Sequence, residues 1–162
     1  MLYSPSSSII ENRRFQLAFR AALWMAAVVY VALLLYIVFF ARRRAGLHWS
    51  PGLVNLKPLI TTIRRRHYME AIGPVNYWTN IFGNIALFVP LPLLVAALSP
   101  LRNRWALLGI GVGLSISIEV IQYVWRIGVP DIDDVIMNST GTLLGVLLWE
   151  YGLRRLYDRL TH

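Results

Sequence analysis

Hydrophobic and polar positions alternate along this chain in long blocks rather than in short periods. Ala21 to Phe40 contains no charged residue. At about 1.5 Å per residue it spans about 30 Å, the thickness of a bilayer's hydrocarbon core. Three further apolar runs follow, and the pattern predicts membrane-crossing helices at about 21–40, 78–98, 105–124 and 135–153. Residues 1–20 are polar to mixed, and their Ser-Pro-Ser-Ser-Ser start reads as a frayed end. The longest connection, 41–77, is broken by Pro51, Gly52, Pro58, Gly73 and Pro74. Within it, Pro58 opens a short amphipathic stretch to about Ile72, with Leu59, Ile60 and Ile63 opposite Arg64 to Arg66. Such a stretch lies along the interface or re-enters it. Pro90 and Pro92 predict a kink in the second span, and Gly141 and Gly145 predict close helix contact in the fourth. The expected fold is all-α: a four-helix transmembrane bundle forming a single domain over 1–162, with an interfacial or re-entrant segment between helices 1 and 2.

Composition agrees. The chain is 57% hydrophobic and 15% charged, with a mean hydropathy of +0.54. A soluble domain is about half apolar and about a quarter charged, so lipid is the expected solvent. The net charge of +8 sits in short arginine clusters between the apolar runs, including Arg13-Arg14, Arg42 to Arg44, Arg64 to Arg66 and Arg154-Arg155. That placement marks helix ends against anionic lipid, and nucleic acid is not an expected partner. The basic residues divide evenly between the two sides, so charge alone does not orient the chain. The first run is longer than a signal-peptide core and is followed by arginines, so a retained helix is expected. With no cysteine, disulfides and thiolate metal sites are excluded.

The candidate chemistry gathers under one membrane face. Asn84 lies about 9 Å below the start of the second span, Glu119 about 9 Å below the end of the third, and Asn138 about 6 Å below the start of the fourth. Glu119, Gln122 and Arg126 share a helix face at i, i+3 and i+7, and Asp134 and Asn138 are four apart. Asp131, Asp133 and Asp134 roof the cluster. An acid inside a span costs about 2.5–3.5 kcal/mol at a helix centre and less near an interface, and such residues usually mark function. Glu119, with Asp134, is therefore the candidate for proton transfer, its expected partners being Gln122, Arg126, Asn84 and Asn138. Asn84, Gln122, Arg126, Asp131, Asp133 and Asn138 are the candidate substrate-binding groups. Against this stands a plainer reading: interhelical hydrogen bonds of about 0.6–2 kcal/mol each that lock the bundle, and aspartates that cap the fourth helix. Hard oxygen ligands would suit Mg²⁺ or Ca²⁺, but no spacing here is diagnostic and no metal site is assigned. No histidine lies in the polar stripes, which removes support for a Ser–His–Asp set.

Three stretches resemble the VanZ-like family of bacterial membrane proteins. They are Asn55-Leu56-Lys57-Pro58-Leu59, then Gly83-Asn84-Ile85-Ala86-Leu87-Phe88-Val89-Pro90, and finally Ser117 to Gln122 followed by Asp131 to Gly141. The chain departs from the family pattern at Pro92, where glycine is common, and at Gly128, where an arginine usually stands. The resemblance implies four spans, a bacterial plasma-membrane location, a link to the cell envelope and, through the namesake, to resistance against teicoplanin-type glycopeptide antibiotics. Association with the outer face of the envelope orients both termini to the cytoplasm. Membrane lipids and a lipid-linked envelope precursor are the implied partners. No cofactor, oligomeric state or defined reaction follows, so the reading does not decide between an enzyme and a non-enzymatic scaffold or modulator of envelope machinery.

Overall fold

The structure, a computed structural model, describes residues 7–41, 54–58 and 74–161. Helix α1 (Ser7–Tyr36) continues through a π-helical turn, Ile37–Ala41. It is followed by α2 (Pro74–Phe88), α3 (Pro90–Leu98), α4 (Arg104–Trp125) and α5 (Ile132–Leu148). A second π turn, Trp149–Leu153, joins α5 to the short α6 (Arg154–Thr161). Among the described residues there is no strand, in keeping with the all-α expectation.

Three stretches are long and apolar enough to cross a membrane: Arg13–Phe40, Trp78–Leu98 and Arg104–Trp125. The fourth expected span corresponds to α5 and its π turn. Alone, α5 has 17 residues and carries Asp133 and Asp134 in its first turn, which keeps it apart from the other three. With the π turn it reaches about 33 Å. The expected interfacial segment after Pro58 lies outside the described residues. One boundary differs markedly from expectation. Helix α1 begins at Ser7, well before the expected start at Ala21, because residues 7–20 include no glycine or proline and a helix once nucleated extends at little cost.

The α2–α3 interruption falls at Val89. Pro90 and Pro92 have no N–H to offer the carbonyls of Ala86 and Phe88, so the ladder breaks where the two prolines enter. A neighbour supplies a donor beside the break: the Tyr30 hydroxyl donates to the Leu87 carbonyl at 3.0 Å. This is how a bundle tolerates proline inside a span.

Helix α5 sits centrally, packed along α2, α3 and α4, while α1 packs on α3 at the periphery. One apolar cluster joins Tyr30, Leu34 and Val38 to Phe88 and Ile118. A second joins Ala96, Leu107, Val146 and Trp149. Close approach comes from small residues. A methyl group on Gly141 would run into the backbone carbonyl of Ile85, and one on Gly145 into that of Val89 and the Pro92 ring. Pro92 therefore packs against Gly145 in α5. Outward-facing Trp24, Met25, Val28 and Val29 of α1 and Val120 and Val124 of α4 are exposed, the surface that lipid is expected to cover.

Candidate functional site

The polar residues under one face do come together. On α2, Asn84 is 1% exposed and its Nδ2 donates to Asp134 Oδ1 at 2.7 Å. Glu119 of α4 is 7% exposed, and its Oε2 accepts the backbone N–H of Asp131 at 3.0 Å. Asn138 of α5 donates through Nδ2 to Ser115 Oγ at 2.9 Å. Gln122 is buried beside the end of α1, donating to the Val38 carbonyl at 3.4 Å. Three helices thus contribute buried polar side chains at one level, as the depth argument required.

The acidic turn between α4 and α5 is built as a helix cap. Asp131 Oδ1 accepts the Asp133 N–H at 3.0 Å, and the Asp131 carbonyl accepts the Asp134 N–H at 3.0 Å. An aspartate at the N-cap with two more in the first turn favours α5 through the free N–H groups and the helix dipole. Asp131 and Asp133 are nevertheless buried, at 5% and 1% exposure, which a surface cap does not require.

Part of the long connection docks on this turn. Asn55 forms a parallel bridge with Asp131: its N–H donates to the Pro130 carbonyl and its carbonyl accepts the Ile132 N–H, both at 3.0 Å. Its side chain donates to Asp131 Oδ1 at 2.8 Å and accepts the Lys57 N–H at 3.2 Å. Backbone and side chain of Asn55 are both engaged, the amide supplying a donor and an acceptor at once.

Several expectations are refined. Glu119 accepts the Asp131 N–H, a backbone contact in addition to the side chains expected as its partners. Arg126 is exposed and forms the C-cap of α4 with a left-handed backbone, φ 55°, so it stands at the rim rather than in the buried cluster. Gly128 is where the family pattern has arginine. A Cβ there would come within 2.8 Å of Gln122 Oε1, so any side chain would have to displace Gln122. The glycine stripe of α5 meets α2 and α3, whereas Asn138 and Thr142 meet α4, with Thr142 against Gly111. Helix α5 therefore serves two neighbours with two faces.

Asn55 and Ser115 were missed as site residues, and Glu150 as a buried acid outside the site. For Asn55 the signal was present in the stretch Asn55 to Leu59. Ser115 carried none, since serine within a helix commonly bonds its own backbone. Glu150 is ionisable within the fourth expected span. Its Oε2 is buried without a hydrogen-bond partner among the described residues, but it lies in the second π turn, about 18 Å along the helix from Asn138. Within the cluster itself, Asn138 Oδ1 is a buried acceptor without a donor among the described residues.

A model of the VanZ/LLP1 family matches residues 27–154, a stretch that includes every polar group described above. The chain belongs to the VanZ/LLP1 family. No curated protein matches it, and no solved structure does. Membership accounts for the three stretches the sequence singled out. In this VanZ/LLP1 chain they are parts of one assembly: Asn55 on Asp131, Asn84 on Asp134, and Glu119 on the turn that links them.

Proposed function

We propose that this VanZ/LLP1 chain binds or acts on the head group of a cell-envelope lipid or lipid-linked precursor at the buried polar cluster, in the bacterial plasma membrane with both termini cytoplasmic. The observation that carries the reading is the burial of Asn84, Glu119, Asp131, Asp133 and Asn138 on three helices at one membrane level. Locking a bundle takes one or two hydrogen bonds, each worth about 0.6–2 kcal/mol. Gathering four carboxylates with several amides goes well beyond that. The unpartnered Asn138 Oδ1 adds an acceptor suited to a head-group hydroxyl or amine. If chemistry occurs, Glu119 and Asp134 are the groups for proton transfer, while Asp131 and Asp133 orient the head group and Gln122 and Arg126 flank it. Glycopeptide resistance would follow if the lipid handled belongs to the wall precursor pathway.

A second reading has its own support. Most of these groups bond to one another within the protein, as expected of a non-enzymatic scaffold or modulator whose polar end is a structural lock. Lipids retained by the purified protein separate the two. Wild-type protein should carry one envelope lipid class selectively, as read by mass spectrometry of its extract, and Glu119→Gln should lose it. An unselective lipid profile, unchanged in the variant, would leave the scaffold reading standing.

A further inference from the structure

The opposite end of the bundle carries a separate feature that the polar cluster does not use. A groove of about 370 Å³ opens between the N-terminal part of α1, the α3–α4 turn and α6. From α1 it receives Arg13, Gln16, Leu17 and Arg20, at i, i+3, i+4 and i+7, so one helix face lines it. Arg102 comes from the turn, and Tyr157 and Thr161 from α6.

The groove is tied together from within. Gln16 Nε2 donates to the Thr161 carbonyl at 3.4 Å, and the Phe19 and Tyr157 rings lie 6.2 Å apart. The Tyr157 hydroxyl donates to the Ala97 carbonyl at 2.6 Å. The Arg102 guanidinium sits 5.2 Å from the centre of the Tyr157 ring and pairs with Asp158 at 2.8 Å. Arg102 is thus neutralised, whereas among the described residues Arg13 and Arg20 have no carboxylate within ion-pair distance. The groove holds three guanidinium groups, and among the described residues one of them is paired with a carboxylate.

Its depth identifies the ligand's source. The uncharged run begins at Ala21, which puts Arg20 at the edge of the hydrocarbon and Arg13 about 10 Å further out. The head-group layer occupies about 5–8 Å on each side of the core, so the two free arginines bracket the level of the lipid phosphates. Leu17 between them lies at head-group depth and gives an apolar wall for the glycerol backbone of a lipid. We propose that this groove binds the phosphate of an anionic phospholipid, with Arg13 and Arg20 as its ligands and Arg102 as a fixed wall. The assignment does not depend on the function of the polar cluster.

Native mass spectrometry of the full chain in detergent, offered equal amounts of phosphatidylglycerol and phosphatidylcholine, tests it. The wild type should retain phosphatidylglycerol preferentially. The double variant Arg13→Gln/Arg20→Gln, exposed and expected to fold, should lose about fivefold of that preference for each arginine removed. Arg14→Gln, one residue off the groove-lining face, should keep it, and so should Glu119→Gln. Equal retention of the two lipids, an unchanged preference in the double variant, or an equal loss in Arg14→Gln would overturn the proposal. Displacement of the lipid by millimolar glycerol phosphate would also overturn it, assigning the groove to a soluble phosphate.

Discussion

The two ends of this bundle use polar residues in opposite ways. At one end, acids and amides are buried and engaged with one another, and two connecting loops are drawn in to complete the arrangement. At the other, arginines stand exposed or half exposed around an open groove, with one of three paired among the described residues. The first end is coupled to the stability of the fold, because a buried polar group left without its partner costs about 1–3 kcal/mol. The second is available to whatever surrounds the protein. Substitutions that remove a partner or force in bulk should accordingly damage the fold at the buried end, whereas substitutions at the groove should spare it.

The largest effect is expected just beneath the buried cluster. Gly141→Leu forces a side chain into the Ile85 backbone, which cannot yield as a flexible side chain would. Overpacking of this kind costs about 1–3 kcal/mol and more where backbone must move. Little folded protein should be recovered in detergent extracts. Gly109→Ala, with nothing within 4 Å of the added methyl, should melt at or above the wild-type temperature. Equal behaviour of the two variants would remove the close-packed half of the comparison.

Asn55→Asp comes next. It sets a carboxylate where the amide now donates to Asp131 Oδ1 at 2.8 Å, exchanging a hydrogen bond to a charged group for repulsion. A loss of about 1.5–3 kcal/mol is expected, read as a lower melting temperature and as faster proteolysis of the loop around residues 54–58. A melting curve identical to wild type would show that the loop does not belong to the site.

At the groove the effect should be smallest. Arg102 and Asp158 have side chains 31% and 40% exposed, so water and salt screen their pairing. Exposed pairs contribute about 0–1 kcal/mol, and Arg102→Gln should shift the melting temperature slightly, the shift shrinking further in high salt. A large, salt-independent loss would place this end among the structural elements as well.

The helices were legible in the sequence because apolar blocks of about 20 residues have few other uses. Trp78–Leu98 matched the expected span, and the proline interruption fell where Pro90 and Pro92 predicted it. The convergence of Asn84, Glu119 and Asn138 was legible too, since rise per residue sets depth in any straight span. Partners were not. Glu119 meets a backbone N–H, which no residue type announces, and Asn55 reaches Asp131 across 76 residues of chain. The groove escaped notice for a related reason: it needs α1 to extend back through Arg13, whereas the expected span began at Ala21.

The central claim is that the buried cluster is a working site and more than a lock. The direct test is the abundance of Glu119→Gln and Asp134→Asn beside the glycopeptide or envelope phenotype, in a strain lacking the native copy. Both substitutions keep an oxygen acceptor, so the Asp131 N–H and the Asn84 amide retain a partner. Near-normal protein level with the phenotype gone is expected. If level and phenotype fall together, or if both variants work as well as the wild type, the cluster only holds the helices in place.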